Sequence, residues 1–167
     1  MLVVAQQIGD SMTASPPTLY EWAGGKDAVA RLFQRFYERV PADPLLAPVF
    51  AAMDPHHSQH VSAFVGEVLG GPKAYSADGG SHAGMIGHHL GRVLSHEQRR
   101  AWVALLLDTA DEVGLPDDPE FRASFVGYLE WGTRLAVMNS QPGVEAPTDN
   151  PPMPVWNWAS PGGPYQL

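Results

Sequence analysis

The chain has 167 residues, a length that suits one domain with a substantial core and is short for two. It holds 10 Lys and Arg against 18 Asp and Glu, a formal net charge of -8, with no run of basic residues, so we set nucleic acid aside as a partner. It has no cysteine, which excludes disulfides, thiolate metal sites and a cysteine nucleophile, and which fits a reducing compartment.

The two ends of the sequence are predicted to be irregular extensions of one domain over residues 18–141. Residues 1–17 have no basic segment and only a short apolar run, so they predict neither a signal peptide nor a membrane span, and we expect a cytoplasmic protein with no membrane partner. Residues 142–167 are rich in Pro and Gly, which argues against a helix. Their tryptophans predict an extended tail that packs on the domain or on a partner subunit.

Four main helices are predicted between these ends, from apolar residues that recur at spacings of three and four. A short helix and the Gly24-Gly25 turn precede the first of them. Their expected starts are Asp27, the N-cap candidate Asp54, the capping-box pair Ser95 and Gln98, and the pair Asp118-Pro119. The stretch "KAYSADGGSHAG", residues 73–84, is predicted as a loop, and a short helix is expected around residues 82–90. Because no stretch alternates with period two, the predicted fold class is all-α.

Five of the seven histidines fall in the stretches "DPHHSQHV" and "MIGHHLG". Helical phase places His57 on the apolar face, four residues before Val61, and His89 inward, four residues after Met85. A single inward histidine is usually a core residue bonded to a backbone carbonyl. Two of them on separate helices favour a cofactor site inside the bundle.

Two other interpretations stay open at this point. His56 and His60 are four residues apart and could bind zinc, although no Glu follows the first of them as in the metalloprotease pattern. The chain could also be a cofactor-free helical interaction module that uses its tryptophan tail.

Five stretches taken in order carry a resemblance to a known family: "LYEWAGGKDAVARLFQRFYERV", "LLAPVF", "EVLGGPKAYS", "MIGHHLG" and "EQRRAW". Over residues 18–140 the chain resembles the truncated haemoglobins, the compact two-over-two globins, and most closely their group II. The resemblance implies a two-over-two helical sandwich around a haem b, with the irregular N- and C-terminal extensions outside it.

The resemblance also implies roles for individual residues. His89 is expected to bind the haem iron through one ring nitrogen, while the other donates to a backbone carbonyl or water. The distal donors are expected to be Tyr37, His57 and Trp102. The residues expected to touch the haem are Phe50, Val61, Phe64, Val65, Lys73, Tyr75, Met85 and His88, of which Lys73 and Tyr75 could reach a propionate.

Two departures from the family pattern accompany these roles. Many relatives have a small residue at the position of His57, so the distal network is expected to differ. Many also have an arginine beside a propionate where this chain has His88.

The implied function is reversible binding of dioxygen, and of carbon monoxide or nitric oxide. A phenol and an indole N–H in an apolar pocket are donors that suit such ligands. Activity resembling a nitric oxide dioxygenase or a peroxidase would need an electron donor or reductase as partner. Whether the chain acts as carrier, sensor or enzyme, and whether it forms a homo-oligomer, is left open.

Overall fold

The computed structural model describes residues 15–159 and 163–164, and within them every regular element is helical. Its helices are α1 (Leu19–Ala23), α2 (Gly25–Arg39), α3 (His57–Val68), α4 (Ala74–Ala77), α5 (His82–Gly87), α6 (His96–Glu112) and α7 (Pro119–Asn139), with a 3-10 turn over Val40–Ala42. The all-α prediction is confirmed. Most of the predicted irregular segment 1–17 lies outside the described residues.

The long helices pack as two pairs, and the pairs lie against each other. α2 packs on α3, α6 packs on α7, and α2 also contacts α6. The shared core holds Phe33 and Phe36 from α2 with Phe121 and Phe125 from α7, all fully buried or nearly so. Burying these large aromatic rings contributes strongly to the stability of the domain.

The predicted capping box of α6 is present, and α7 starts where it was predicted to start, with Asp118 as its N-cap. The Ser95 hydroxyl accepts from the Gln98 N–H at 3.0 Å, and the Gln98 side chain accepts from the Ser95 N–H at 2.9 Å. The Asp118 carboxylate accepts from the Phe121 N–H at 2.9 Å. These bonds satisfy donors that a helix start leaves free, which explains why the boundaries of α6 and α7 could be read locally.

The predicted start of α3 at Asp54 is wrong. The Asp54 side chain accepts from the His56 N–H at 2.7 Å, and the Asp54 carbonyl accepts from the His57 N–H at 2.9 Å. Residues 54–56 therefore form a turn, and α3 begins at His57. His57 consequently stands in the first turn of the helix, next to the end of the preceding loop.

The predicted helix over residues 82–90 is too long. α5 ends at Gly87, and His88 and His89 lie in the turn that follows. Glycine is a poor helix former, and the sequence "MIGHHLG" has one on each side of the histidine pair. α4 was missed because its four residues lie in a segment that reads as a loop.

The described part of the tail packs on its own chain. The Trp156 N–H donates to the Val68 carbonyl at 2.8 Å, and the Trp156 indole donates to the Ser124 carbonyl at 2.9 Å. The Trp158 indole donates to the Pro17 carbonyl at 2.8 Å. None of the described helices is both long and apolar enough to cross a membrane.

Candidate cofactor site

Tyr37, which is buried, and His57, which is half-buried, form a polar pair at the edge of the apolar core. Tyr37 lies near the end of α2 with a side chain only 8% exposed, and His57 lies in the first turn of α3. The His57 Nε2 atom is 3.0 Å from the Tyr37 hydroxyl oxygen, and the two rings meet edge to face at 5.0 Å. The late start of α3 is what directs this imidazole at α2.

Aromatic rings surround the pair. The Phe50 ring centroid lies 5.5 Å from that of Tyr37 and 5.9 Å from that of His57. Trp102, on α6, packs edge to face on Phe36 at 5.2 Å. Three helices and one loop therefore bring Tyr37, His57, Phe50 and Trp102 close together. Tyr37, His57 and Trp102 are the predicted distal donors and Phe50 is a predicted haem contact, and these roles stay predictions.

Burial controls the charge state of the pair. It raises the pKa of the Tyr37 hydroxyl well above its ordinary value, against a smaller opposing effect of the Trp102 indole as a hydrogen-bond donor. Burial also lowers the pKa of the His57 imidazole, and the charges of Arg92, His88, His60 and His89 lower it further. At neutral pH both groups are therefore uncharged, and one ring nitrogen of His57 is free of hydrogen.

His89 has one ring nitrogen satisfied and the other free. Its Nδ1 atom lies 2.9 Å from the Met85 carbonyl oxygen, an acceptor, so Nδ1 carries the hydrogen and Nε2 keeps its lone pair. Burial is the main cause of a lowered pKa at this imidazole, and the positive charges of Arg92 and His88 lower the pKa further. The hydrogen bond to the Met85 carbonyl acts in the opposite direction and raises it. A neutral imidazole with a free Nε2 is the form that binds a metal.

The other predicted contact residues fall into two groups. Phe64 and Val65 on α3 are buried, and Val61 and Met85 are half-buried and pack against the core. Lys73 and His88 are exposed.

The Tyr75 hydroxyl donates to the Ser81 carbonyl at 3.3 Å, and its ring packs edge to face on Phe64 at 5.1 Å. The structure therefore gives Tyr75 a hydrogen-bond partner within the chain.

The side chains present fit a haem. A haem is a flat, largely apolar macrocycle that needs one iron ligand from the protein. His89 offers a free imidazole nitrogen for the iron, and α3 and the loop before it offer apolar side chains for the macrocycle. The Tyr37–His57 pair adds polar groups beside them. By contrast, His56 and His60 are exposed, and the described residues contain no group of three His, Cys, Asp or Glu side chains that could hold a metal ion. The zinc interpretation has no support in this geometry.

Two features were missed in the sequence. The Glu67 carboxylate is buried and accepts from the Ser76 N–H at 2.9 Å and the Ser76 hydroxyl at 2.6 Å, which fastens α4 to α3. Arg92 lies in the turn after His89, and its charge acts on both His57 and His89. A cation three residues after an inward histidine was a signal that the sequence did contain.

Comparison with known proteins agrees with this geometry. The family model of bacterial-like globins matches residues 18–130. The group 2 truncated hemoglobin of Bacillus subtilis is 32% identical over 117 residues, which are 70% of this chain and 86% of that protein.

Solved structures agree as well. The X-ray structure of the truncated oxygen-avid haemoglobin from Bacillus subtilis matches with a TM-score of 0.64 and 32% identity, over 72% of this chain and 99% of that one. The hemoglobin of Chloroflexus aurantiacus matches with a TM-score of 0.63 and 31% identity, over 72% of this chain and 97% of that one.

Proposed function

Because the chain belongs to the bacterial-like globins, as a truncated haemoglobin of group II, we propose that it binds haem b through His89 and reversibly binds dioxygen beside Tyr37, His57 and Trp102. Haem supplies the iron at which diatomic ligands are held. The observation that carries the proposal is the free Nε2 atom of His89, left by the 2.9 Å contact of its Nδ1 atom with the Met85 carbonyl.

The polar pair gives the pocket its preference among ligands. The buried Tyr37 phenol stays protonated at neutral pH, so its O–H is a donor in a place where water is scarce. Such a donor holds a ligand that gains partial negative charge more tightly than it holds an apolar ligand, because each hydrogen bond contributes about 0.5–1.5 kcal/mol. Binding of dioxygen should therefore be favoured over binding of carbon monoxide.

The similarity to a haemoglobin described as oxygen-avid supports tight oxygen binding in this chain too, and the Tyr37 donor would slow oxygen release. Slow release suits redox work on nitric oxide or peroxide better than rapid oxygen delivery. Such turnover needs an external electron donor, so we include a reductase among the partners of the protein, and we place the protein in the cytoplasm, where such donors act.

An absorbance spectrum tests the proposal. The purified chain is reconstituted with haem, reduced, and measured with and without carbon monoxide. We expect one equivalent of haem, an intense Soret band, and a shift of that band with carbon monoxide. A chain that is folded but binds no haem at stoichiometric concentration would end this proposal and leave the interaction module as the better interpretation.

A further inference from the structure

Arg92 is held against the turn that carries His89. Its backbone N–H donates to the His89 carbonyl at 3.2 Å, and its Nε atom donates to the His88 carbonyl. The Nε bond uses the side of the guanidinium nearest the chain. The two terminal nitrogens, Nη1 and Nη2, make no hydrogen bond within residues 15–159 and 163–164, so both are available to a carboxylate.

The turn itself is anchored to the end of α7. The Val93 N–H donates to the Ser140 carbonyl at 2.8 Å, and the Leu94 N–H donates to the Ser140 hydroxyl at 2.9 Å. The Gln141 side chain donates to the Leu94 carbonyl at 3.0 Å. Ser140 is fully buried, and Val93 adopts a positive φ of 51°. An isopropyl side chain disfavours that φ, so the surrounding bonds must impose it.

Arg92 has no acidic partner in the part of the chain that the structure describes. The ion pairs formed there involve Arg35, Arg39, Arg99, Arg122 and Arg134. The positive charge of Arg92 is close enough to lower the pKa of both His57 and His89, the two imidazoles of the site. The guanidinium is therefore a fixed, unpaired cation beside the site.

A haem brings two carboxylates, which stay at the solvent edge of a pocket because burying them unpaired is costly. We propose, on the basis of the function proposed above, that Arg92 binds a haem carboxylate through its Nη1 and Nη2 atoms. In the family pattern this contact comes from an arginine directly before the proximal histidine, where this chain has His88. In this chain the cation is Arg92, four residues after His88, and its side chain lies back along the turn so that Nε donates to the His88 carbonyl.

The other candidates for this contact fit less well. Lys73 and Arg92 are both exposed, but only the Arg92 side chain is held by a hydrogen bond in the described residues, and Lys73 has one ammonium group in place of a planar guanidinium. The Tyr75 hydroxyl already donates to the Ser81 carbonyl. Arg92 is the cation that the fold fixes next to the histidine ligand.

The experiment compares haem with haem dimethyl ester, in which both carboxylates are blocked. Wild type, Arg92→Gln and the control Arg100→Gln, an exposed arginine on α6, are loaded with either compound, and the rate of loss to an excess of haem scavenger is measured. We expect Arg92→Gln to lose haem about three- to tenfold faster than wild type. We expect wild type and Arg92→Gln to lose the ester at equal rates, and Arg100→Gln to match wild type with both.

The outcomes separate this proposal from the function on which it rests. If Arg92→Gln speeds the loss of haem and of the ester equally, Arg92 only supports the turn and the proposal is overturned. Equal haem loss from Arg92→Gln and wild type overturns it as well. In both cases wild type still shows its Soret band, so haem binding through His89 stands. If wild type itself binds no haem, the function fails and this inference fails with it.

Discussion

The Nε2 atom of His57 lies 3.0 Å from the hydroxyl oxygen of Tyr37, and the two groups share one hydrogen. If His57 carries its hydrogen on Nε2, it donates to the Tyr37 oxygen and leaves the Tyr37 O–H free for a ligand. If the hydrogen is on Nδ1, Tyr37 donates to His57 and is occupied. We therefore expect His57 to act on the ligand through Tyr37.

Replacing Tyr37 by Phe should raise the oxygen dissociation rate of the haem-loaded protein about two- to tenfold. The lost hydrogen bond contributes about 0.5–1.5 kcal/mol, and 1.4 kcal/mol corresponds to a factor of ten. Stopped-flow mixing with a chemical oxygen scavenger measures the rate. Tyr20→Phe, on α1, is the matched control and should keep the wild-type rate. An unchanged rate in Tyr37→Phe would remove Tyr37 from the distal side.

His57→Ala and Trp102→Phe should raise the same rate by smaller factors, and the double variant tests how His57 acts. If His57 acts through Tyr37, the double variant Tyr37→Phe, His57→Ala has the same oxygen dissociation rate as Tyr37→Phe alone. If His57 donates to the ligand directly, the two effects multiply. No change in any of the single variants would show that the distal assignment is wrong.

Replacing His89 by Gly should remove the histidine ligand, whereas His88→Gly should keep it. The His89 Nδ1 atom is fixed by the Met85 carbonyl at 2.9 Å, and the His88 side chain is exposed. Spectra of the reduced proteins, with and without added imidazole, measure the difference. Imidazole should restore the wild-type spectrum in His89→Gly and leave His88→Gly unchanged. The reverse pattern would mean that the phase assigned to this turn is off by one residue.

The sequence was sufficient where the signals were local. The caps of α6 and α7 form within three residues of each helix start, and the inward phase of His89 depends on Met85 only four residues away. The family resemblance, which rests on motifs in order, is confirmed by the family model over residues 18–130.

Features that depend on distant partners could not be predicted in this way. The Asp54-Pro55 pair has the local pattern of a helix start, yet the chain makes a turn there and α3 begins later, which aims His57 at Tyr37. Likewise, Glu67 finds Ser76 across two elements, and Ser140 fixes the turn of Arg92 from 46 or 47 residues away. Such contacts follow from tertiary packing, for which a single sequence has no periodic signal.

The stability of the haem-free protein should fall as the pH drops below about 6.5. The imidazole of His57 titrates near 6.5 when unfolded, and burial lowers its pKa in the folded protein. Between the two values the unfolded chain binds a proton that the folded chain does not, so the free energy of unfolding decreases as the pH falls. The stability from neutral His57 is present above 6.5 and is lost as the pH falls through the folded pKa.

Urea unfolding of wild type and His57→Asn across this pH range measures the effect. The slope of the unfolding free energy against pH should be smaller in His57→Asn, and some slope should remain because burial also lowers the pKa of His89. His96→Asn, an exposed histidine on α6, should keep the wild-type slope. Parallel curves for wild type and His57→Asn would contradict the assigned burial.

Replacing Trp156 by Ala should lower the free energy of unfolding by about 2 kcal/mol. Complete removal of a buried tryptophan costs about 3–5 kcal/mol, and Trp156 is only half-buried. Its ring packs on Tyr128 at 5.9 Å and on Trp131 at 5.8 Å, and its indole donates to the Ser124 carbonyl at 2.9 Å.

Val155→Ala is the matched control, since the Val155 side chain is 68% exposed. Urea unfolding should leave Val155→Ala within about 0.5 kcal/mol of wild type, as expected for a surface position. Equal stability of the two variants would mean that the tail is not held on the domain in solution.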